Sequence, residues 1–231
     1  MYTNEYQHKL DSVLGNKLKR IEYKMLSIFL LRHAETEYNA NNQFVGGRSN
    51  HLALSTKGME QAKETGKIFK QSNIQFDKVF CSIANRTKQT LDIILSQSHI
   101  ADNPIIYSEE LQELSQGDWE GKLRSEIYTP ERLAEINSNQ WHFKAPNGES
   151  QKEVEERMLG FISFEILEKY TEGNFLIVGH GIAFKCLLRG ILGISSQMAY
   201  KLLIDNVSLT KLRYNSKSGW YLDYLNHRQE I

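Results

Sequence analysis

Apolar positions along the chain follow two periods. Met25 to Leu31 and Phe175 to Val178 are apolar almost throughout, as expected of parallel strands covered on both faces. "DKVFCS", ending at Ser82, predicts a further short strand. Between these runs the spacing changes to threes and fours. Met59, Ala62, Gly66 and Phe69 predict one face of a helix capped by Ser55, and Thr87, Leu91 and Ile94 one face of a helix capped by Ser82. Ser150 and Glu153 form a capping-box pattern ahead of Val154, Met158, Phe161, Phe164 and Leu167. A helix from about Ile182 follows the Phe175–Val178 strand, and Val207 to Tyr214 with Trp220 to Tyr224 predict a closing hairpin around "NSKSG".

Strands alternating with helices predict an α/β fold, a doubly wound, mostly parallel sheet in three layers with helices on both faces. Residues 122 to 149 interrupt the alternation. They hold two of the three prolines and no strand-like run, which predicts a small irregular, partly helical excursion able to cap a site. The predicted organisation is an extension over residues 1–24 and one domain over 25–231.

Composition narrows the classes. The chain has 231 residues with 28 basic and 28 acidic side chains, so its net charge gives no reason to expect a nucleic-acid or membrane surface. The apolar runs are far shorter than the roughly 20 residues that span a bilayer. Residues 1–24 are studded with charge and lack the apolar centre of a secretory signal, which predicts a cytoplasmic protein. Cys81 and Cys186 stand far apart without a Cys-x-x-Cys motif, as expected of two buried hydrophobes rather than a disulfide or zinc site.

The chemistry gathers at strand ends. Arg32 and His33 follow the first strand, His180 follows a later one between two glycines, and Arg86 falls in the first turn of a helix. Ligands of doubly wound sheets bind beyond the carboxyl ends of the strands, so these side chains are expected to face one crevice. A phosphoryl group suits them. Guanidinium forks match phosphate oxygens, and a neutral imidazole of His33 or His180 can take the phosphoryl group covalently while the other binds developing charge. Taken alone, either histidine is also compatible with a packed structural role or with a metal, although no metal-ligand spacing is present.

"LRHAETEYN", "FVGGRSNHLALSTKGMEQA", "CSIANRTKQT", "LQELSQGDWEG", "PNGES" and "VGHG" occur in that order, at compatible spacing, and resemble the blocks of the histidine phosphatase superfamily, the phosphoglycerate-mutase-like fold, over about residues 26–214. The resemblance implies His33 as the phosphorylated nucleophile, Arg32 and Arg86 as phosphate clamps, His180 as the second histidine and Glu113 as the proton donor. It further implies that Thr36, Asn39 and Gly46 line the phosphate pocket through a hydroxyl, an amide and a backbone N–H. Ala34 replaces the family's commoner glycine. "SQGDWEGKL" resembles the phosphatase branch rather than the mutase stretch Tyr-Gly-x-Leu-x-Gly-x-Asn-Lys. The expected activity is therefore hydrolysis of a small phosphorylated metabolite, with no cofactor or metal and an open oligomeric state. Mutase-type transfer, a metal-dependent hydrolase and an inactive phospho-ligand module are the alternatives.

Several nearby residues have two readings. Arg48 and Lys57 are solvated or bind a second anion; His51 is a loop histidine or touches substrate. Trp141, His142 and Phe143 shape the leaving-group pocket or anchor the excursion to the core. Asp118 and Glu120 are expected to be supporting rather than reacting acids.

Overall fold

Successive residues of a strand point to opposite faces, so a strand apolar at every position needs cover on both sides. The computed structural model, which describes residues 24–100 and 104–228, supplies that cover. Strand β1 (Met25–Arg32) leads through a short helix α1 (Glu37–Asn41) to helix α2 (Thr56–Ser72), strand β2 (Lys78–Ser82), helix α3 (Asn85–Gln97) and a short strand β3 (Ile106–Ser108). The excursion carries α4 (Arg124–Ile127) and α5 (Pro130–Ser138). Helix α6 (Gln151–Phe161), β4 (Glu172–Gly179), α7 (Gly181–Leu192), α8 (Ser196–Lys201), β5 (Leu209–Asn215) and β6 (Gly219–His227) follow. Apart from Lys24, the segment read as an extension lies outside the described residues.

One six-stranded sheet runs in the order β3-β2-β4-β1-β5-β6. β1 and β2 pair parallel with β4, β3 pairs parallel with β2, and β5 and β6 close the other edge antiparallel. Ile28 and Leu30 of β1, with Phe175 and Ile177 of β4, pack under α6 and α7. Phe29 and Leu31, with Leu176 and Val178, pack under α2 and α3 through Phe69, Leu91 and Ile94. The three layers follow directly from that alternation. No helix among the described residues is long and apolar enough to cross a membrane.

Three local expectations are corrected. Met59 is 41% exposed, because α2 turns Gly58, Ala62, Thr65, Gly66 and Phe69 inward instead. Ser82 does not cap α3; the helix starts at Asn85 after Ala84, which makes no side-chain cap, and the Ser82 hydroxyl goes to His180. Phe164 is 62% exposed because the chain beyond α6 winds as a π-helix over Ile162–Leu167. The wider turn shifts the helical phase and puts Ile162 and Ile166 on the buried face. The Ser55 cap and the Ser150–Glu153 capping box form as expected.

The excursion shares a small satellite core with the segments around Val45 and Trp119. Trp119, Val45 and Ala145 form its centre, and Tyr128, Ile136 and Phe143 pack on them. Trp141 lies against the main core with the Arg189 guanidinium 3.8 Å from its ring centroid. Trp141 and Phe143 therefore anchor the excursion.

Candidate active site

A strand's last residue fixes where the chain leaves the sheet. β1 and β4 are parallel neighbours in register, with Leu31 opposite Val178 and Arg32 opposite Gly179, so His33 and His180 emerge side by side. Their ring centroids are 5.3 Å apart, and both are buried. Nδ1 of His33 lies 2.7 Å from the Ala34 carbonyl. A carbonyl only accepts, so Nδ1 carries the proton and Nε2 of the neutral ring keeps its lone pair. Nε2 of His180 lies 2.9 Å from the Ser82 hydroxyl, while its Nδ1 is buried without a partner, as is Nε of Arg32. Unpartnered buried polar atoms are costly, and one of these two belongs to His180 and the other to the residue preceding His33. The Arg32 guanidinium is otherwise held by the Ile204 carbonyl at 2.7 Å and packs against Gly181.

Arg86, 4% exposed, hydrogen-bonds the carbonyls of Gly47, Arg48 and Ser49 at 2.9 to 3.1 Å. Burial pushes its pKa down to about 10, which leaves it charged near neutrality. From the other side, the Glu120 carboxylate accepts the backbone N–H groups of Arg48, Ser49 and Gln116 and the Ser49 hydroxyl, at 2.7 to 3.0 Å. The 47–49 loop is thus gripped through its carbonyls by Arg86 and through its amides by Glu120. Gly47, at φ +128°, is required there: a Cβ would stand 2.5 Å from Oε1 of Glu120.

Glu113 sits at the N-terminus of α7. Its carboxylate accepts the backbone N–H groups of Leu114 (2.9 Å), Ile182 (3.1 Å) and Ala183 (2.9 Å). A carboxylate offers about four acceptor sites, so one is left for a proton or a water. Thr36 caps α1 in a reciprocal capping box with Asn39: its backbone N–H and hydroxyl both donate to Asn39 Oδ1, leaving the Asn39 NH₂ as that side chain's donor.

Arg32, His33, Thr36, Asn39, Gly46, Arg86 and Glu113 all line one cavity of about 660 Å³. His180, fully buried with its ring 5.3 Å from that of His33, is not among the lining residues. Among the residues with two readings, Arg48 is paired with Glu149 at 2.9 Å, Lys57 with Glu35 at 2.9 Å, and Asp118 accepts from Asn147 at 3.0 Å; these three, His51, Trp141, His142 and Phe143 are outside the cavity lining. The upper wall carries no mark in the sequence. Tyr38, Phe44, Arg124, Tyr128, Leu133 and Tyr200 form much of it, most of them from the excursion and α8, where no periodic pattern marks an inward face. Among the described residues, no group of three or more His, Cys, Asp or Glu side chains could hold a metal.

The two imidazoles titrate well below the ordinary histidine value near 6.5, first because they are buried and then because Arg86 and Arg32 lie beside them. In the unfolded chain they return to that value. As pH falls below about 6.5 the unfolded chain takes up protons that the folded one refuses, so stability falls, by up to about 1.4 kcal/mol per pH unit for each histidine. The urea midpoint is therefore expected to drop between about pH 7.5 and 5.5, less steeply in His180→Asn. A midpoint constant over that range would contradict two buried neutral imidazoles.

Comparison with known proteins gives a consistent picture. A family model, the histidine phosphatase superfamily (branch 1), matches residues 28–228. A 2,3-bisphosphoglycerate-dependent phosphoglycerate mutase of Parvibaculum lavamentivorans is 31% identical over 195 residues, covering 83% of this chain and 92% of that protein. The solved structure of the alpha-ribazole phosphatase from Shigella flexneri superposes with a TM-score of 0.72 at 25% identity, covering 87% of this chain and 96% of that one. The phosphoserine phosphatase of Entamoeba histolytica, solved with 3-phosphoglyceric acid, has the same fold at TM-score 0.74 and 21% identity, over 88% of this chain and 98% of that one.

Proposed function

The chain belongs to the histidine phosphatase superfamily (branch 1), and on that premise we propose that it hydrolyses a small phosphomonoester through a phosphohistidine formed on His33. The observation that carries this is the pinned Nδ1 of His33, which leaves the Nε2 lone pair free on a ring that lines the same cavity as Arg32 and Arg86. Nε2 attacks phosphorus as the bond to the leaving oxygen breaks, and the Glu113 carboxyl gives that oxygen its proton. The three phosphoryl oxygens take hydrogen bonds from Arg32, Arg86 and Nδ1–H of His180, the tautomer left when the Ser82 hydroxyl donates to Nε2. In the second half, the Glu113 carboxylate removes a proton from water, the water oxygen forms a bond to phosphorus, and the P–N bond breaks. Neutral His33 and protonated Glu113 are restored. Thr36, Asn39 and Gly46 complete the phosphate pocket in this scheme, Asn39 through its NH₂.

Departure of the Glu113 proton leaves an anion at the positive end of α7, where backbone N–H groups already converge. Transfer of the phosphoryl group to a sugar-acid hydroxyl instead of water is the second reading, favoured by the similarity to the Parvibaculum mutase. The sequence "SQGDWEGKL" supports hydrolysis.

The test is release of inorganic phosphate from an aryl phosphate and from a panel of phosphorylated metabolites, with and without chelator. Phosphate release unchanged by chelator is expected. Loss on chelation with recovery on adding a metal would replace this scheme by metal-assisted hydrolysis. Transfer to an added hydroxy acid without phosphate release would establish the mutase reading.

A further inference from the structure

The geometry points to Asn206 as a positioning residue for the phosphate pocket, one that touches no substrate and acts by setting the Asn39 amide and holding the His33 backbone; the proposal rests on the phosphoryl chemistry assigned to the same cavity. Asn39 stands on the five-residue helix α1, which buries none of its residues, so hydrogen bonds rather than packing decide which end of its amide is free for the cavity. The Thr36 N–H can only donate, so the Asn39 atom facing it at 3.2 Å is Oδ1. Asn206 supplies another donor to that oxygen, Nδ2 at 3.4 Å, and the same Nδ2 donates to the His33 carbonyl at 2.9 Å. A carbonyl only accepts, so the Asn206 amide is itself fixed. Its two N–H bonds bridge the backbone of the nucleophile and the oxygen end of Asn39, which leaves the Asn39 NH₂ for a phosphoryl oxygen. Asn206 is not among the residues that line the cavity.

The turn that carries Asn206 is built around Arg32 and His33. The Ile204 carbonyl accepts from the Arg32 guanidinium at 2.7 Å, the Arg32 N–H donates to the Ser208 carbonyl at 3.2 Å, and the Val207 N–H donates to the Arg32 carbonyl at 3.1 Å. Residues 204–208 thus hold Arg32 by side chain and backbone, and His33 by its carbonyl. Val207, branched at Cβ, sits at φ +53°, in the left-handed region that such a side chain disfavours. Backbone of that kind persists only where its surroundings over-determine it. Here Asp205 ties the turn to β6: its N–H donates to Asn226 Oδ1 at 2.6 Å, and its carboxylate accepts from Asn226 Nδ2 and from Arg228, each at 2.8 Å. Held by β1 on one side and β6 on the other, the turn sets where the Asn206 donors stand.

Four proteins test this: the wild type, Asn206→Leu, Asn39→Ala and the double variant. Leucine keeps the branched shape of asparagine and removes both donors without adding charge. Calorimetric titration with inorganic phosphate reads the pocket independently of turnover. Asn39→Ala is expected to raise Kd about tenfold or more, and Asn206→Leu about fivefold. Because Asn206 acts on phosphate through Asn39, the double variant should bind within about twofold of Asn39→Ala, whereas independent effects would multiply. The hold on His33 does not pass through Asn39, so kcat for 4-nitrophenyl phosphate should fall about three- to tenfold with Asn206→Leu in both backgrounds. A full loss of phosphate affinity repeated on top of Asn39→Ala, or a kcat unchanged in both backgrounds, overturns the role. Should the leucine variant not fold, ¹⁵N NMR of the wild type decides: phosphate is expected to shift the Asn39 side-chain NH₂ signals by more than those of Asn206, and the reverse order overturns the role. Coupled phosphate binding without turnover of any phosphomonoester leaves Asn206 in place and removes hydrolysis. No phosphate binding by the wild type overturns the pocket and this role together.

Discussion

His33→Ala is expected to lower phosphate release by about 10⁴-fold or more, the scale seen when a covalent nucleophile is removed. The loss should sit in kcat. Arg32, Arg86 and His180 remain in the variant, so inorganic phosphate should still bind, with an affinity within about tenfold of the wild type. The imidazole is buried, 4% exposed, with its Nδ1 held by Ala34, and deleting it leaves a space beside His180. Anion binding therefore serves as the check that the pocket persists. A variant that keeps more than about a tenth of the wild-type rate would assign the nucleophile elsewhere, with His180 the first alternative.

Glu113→Gln should separate the two half-reactions. A 4-nitrophenolate departs without a proton, so transfer of the phosphoryl group to His33 from 4-nitrophenyl phosphate should survive. Removal of the phosphoryl group needs a base for water, and a carboxamide is not one. The variant is expected to release about one equivalent of nitrophenolate per chain in a burst and then turn over about 10² to 10⁴ times more slowly than the wild type. With an alkyl phosphate, whose leaving oxygen needs the proton, the burst itself should vanish. Stability should fall as well, by about 0.5–2 kcal/mol, because an NH₂ in place of one carboxylate oxygen cannot accept the Ile182 or Ala183 N–H at the start of α7. Stability loss without any change in the leaving-group dependence would make Glu113 a helix cap and nothing more.

The sheet is legible in the sequence because its strands are buried on both faces. Ile28, Phe29, Leu30 and Leu31 must face two cores, and a strand inside a three-layer fold buries four consecutive large apolar residues at once. Helix starts with a hydroxyl and a partner three residues on, such as Ser150 with Glu153, are local chemistry and are equally readable. Phase is less secure. Phe164 keeps α-helical spacing from Phe161, yet a π-helical stretch rotates it out to solvent, and only packing against the sheet selects Ile162 and Ile166.

In the lower half of the cavity, Arg32, His33 and Arg86 were accessible to sequence reasoning because they end or follow a strand or open a helix, as was His180 between β4 and α7, whereas Glu113, Thr36, Asn39 and Gly46 were marked only by the family resemblance. The upper half had neither mark. Tyr128, Leu133 and Ile136 belong to a segment whose apolar residues serve a small local core and the cavity wall at once, so they keep neither period. Glu120 was readable as an acid close to Glu113, but its action on the Arg48 and Ser49 amides joins positions 72 and 71 residues apart and exists only in the folded molecule.

The most direct measurement is chemical quench of a reaction with ³²P-labelled aryl phosphate, at alkaline pH, where a phosphoramidate survives, followed by location of the label. One acid-labile phosphate per chain on Nε2 of His33, accumulating in Glu113→Gln and absent from His33→Ala, is the predicted result. An active enzyme that never carries label, or carries it on another residue, would contradict the phosphohistidine mechanism.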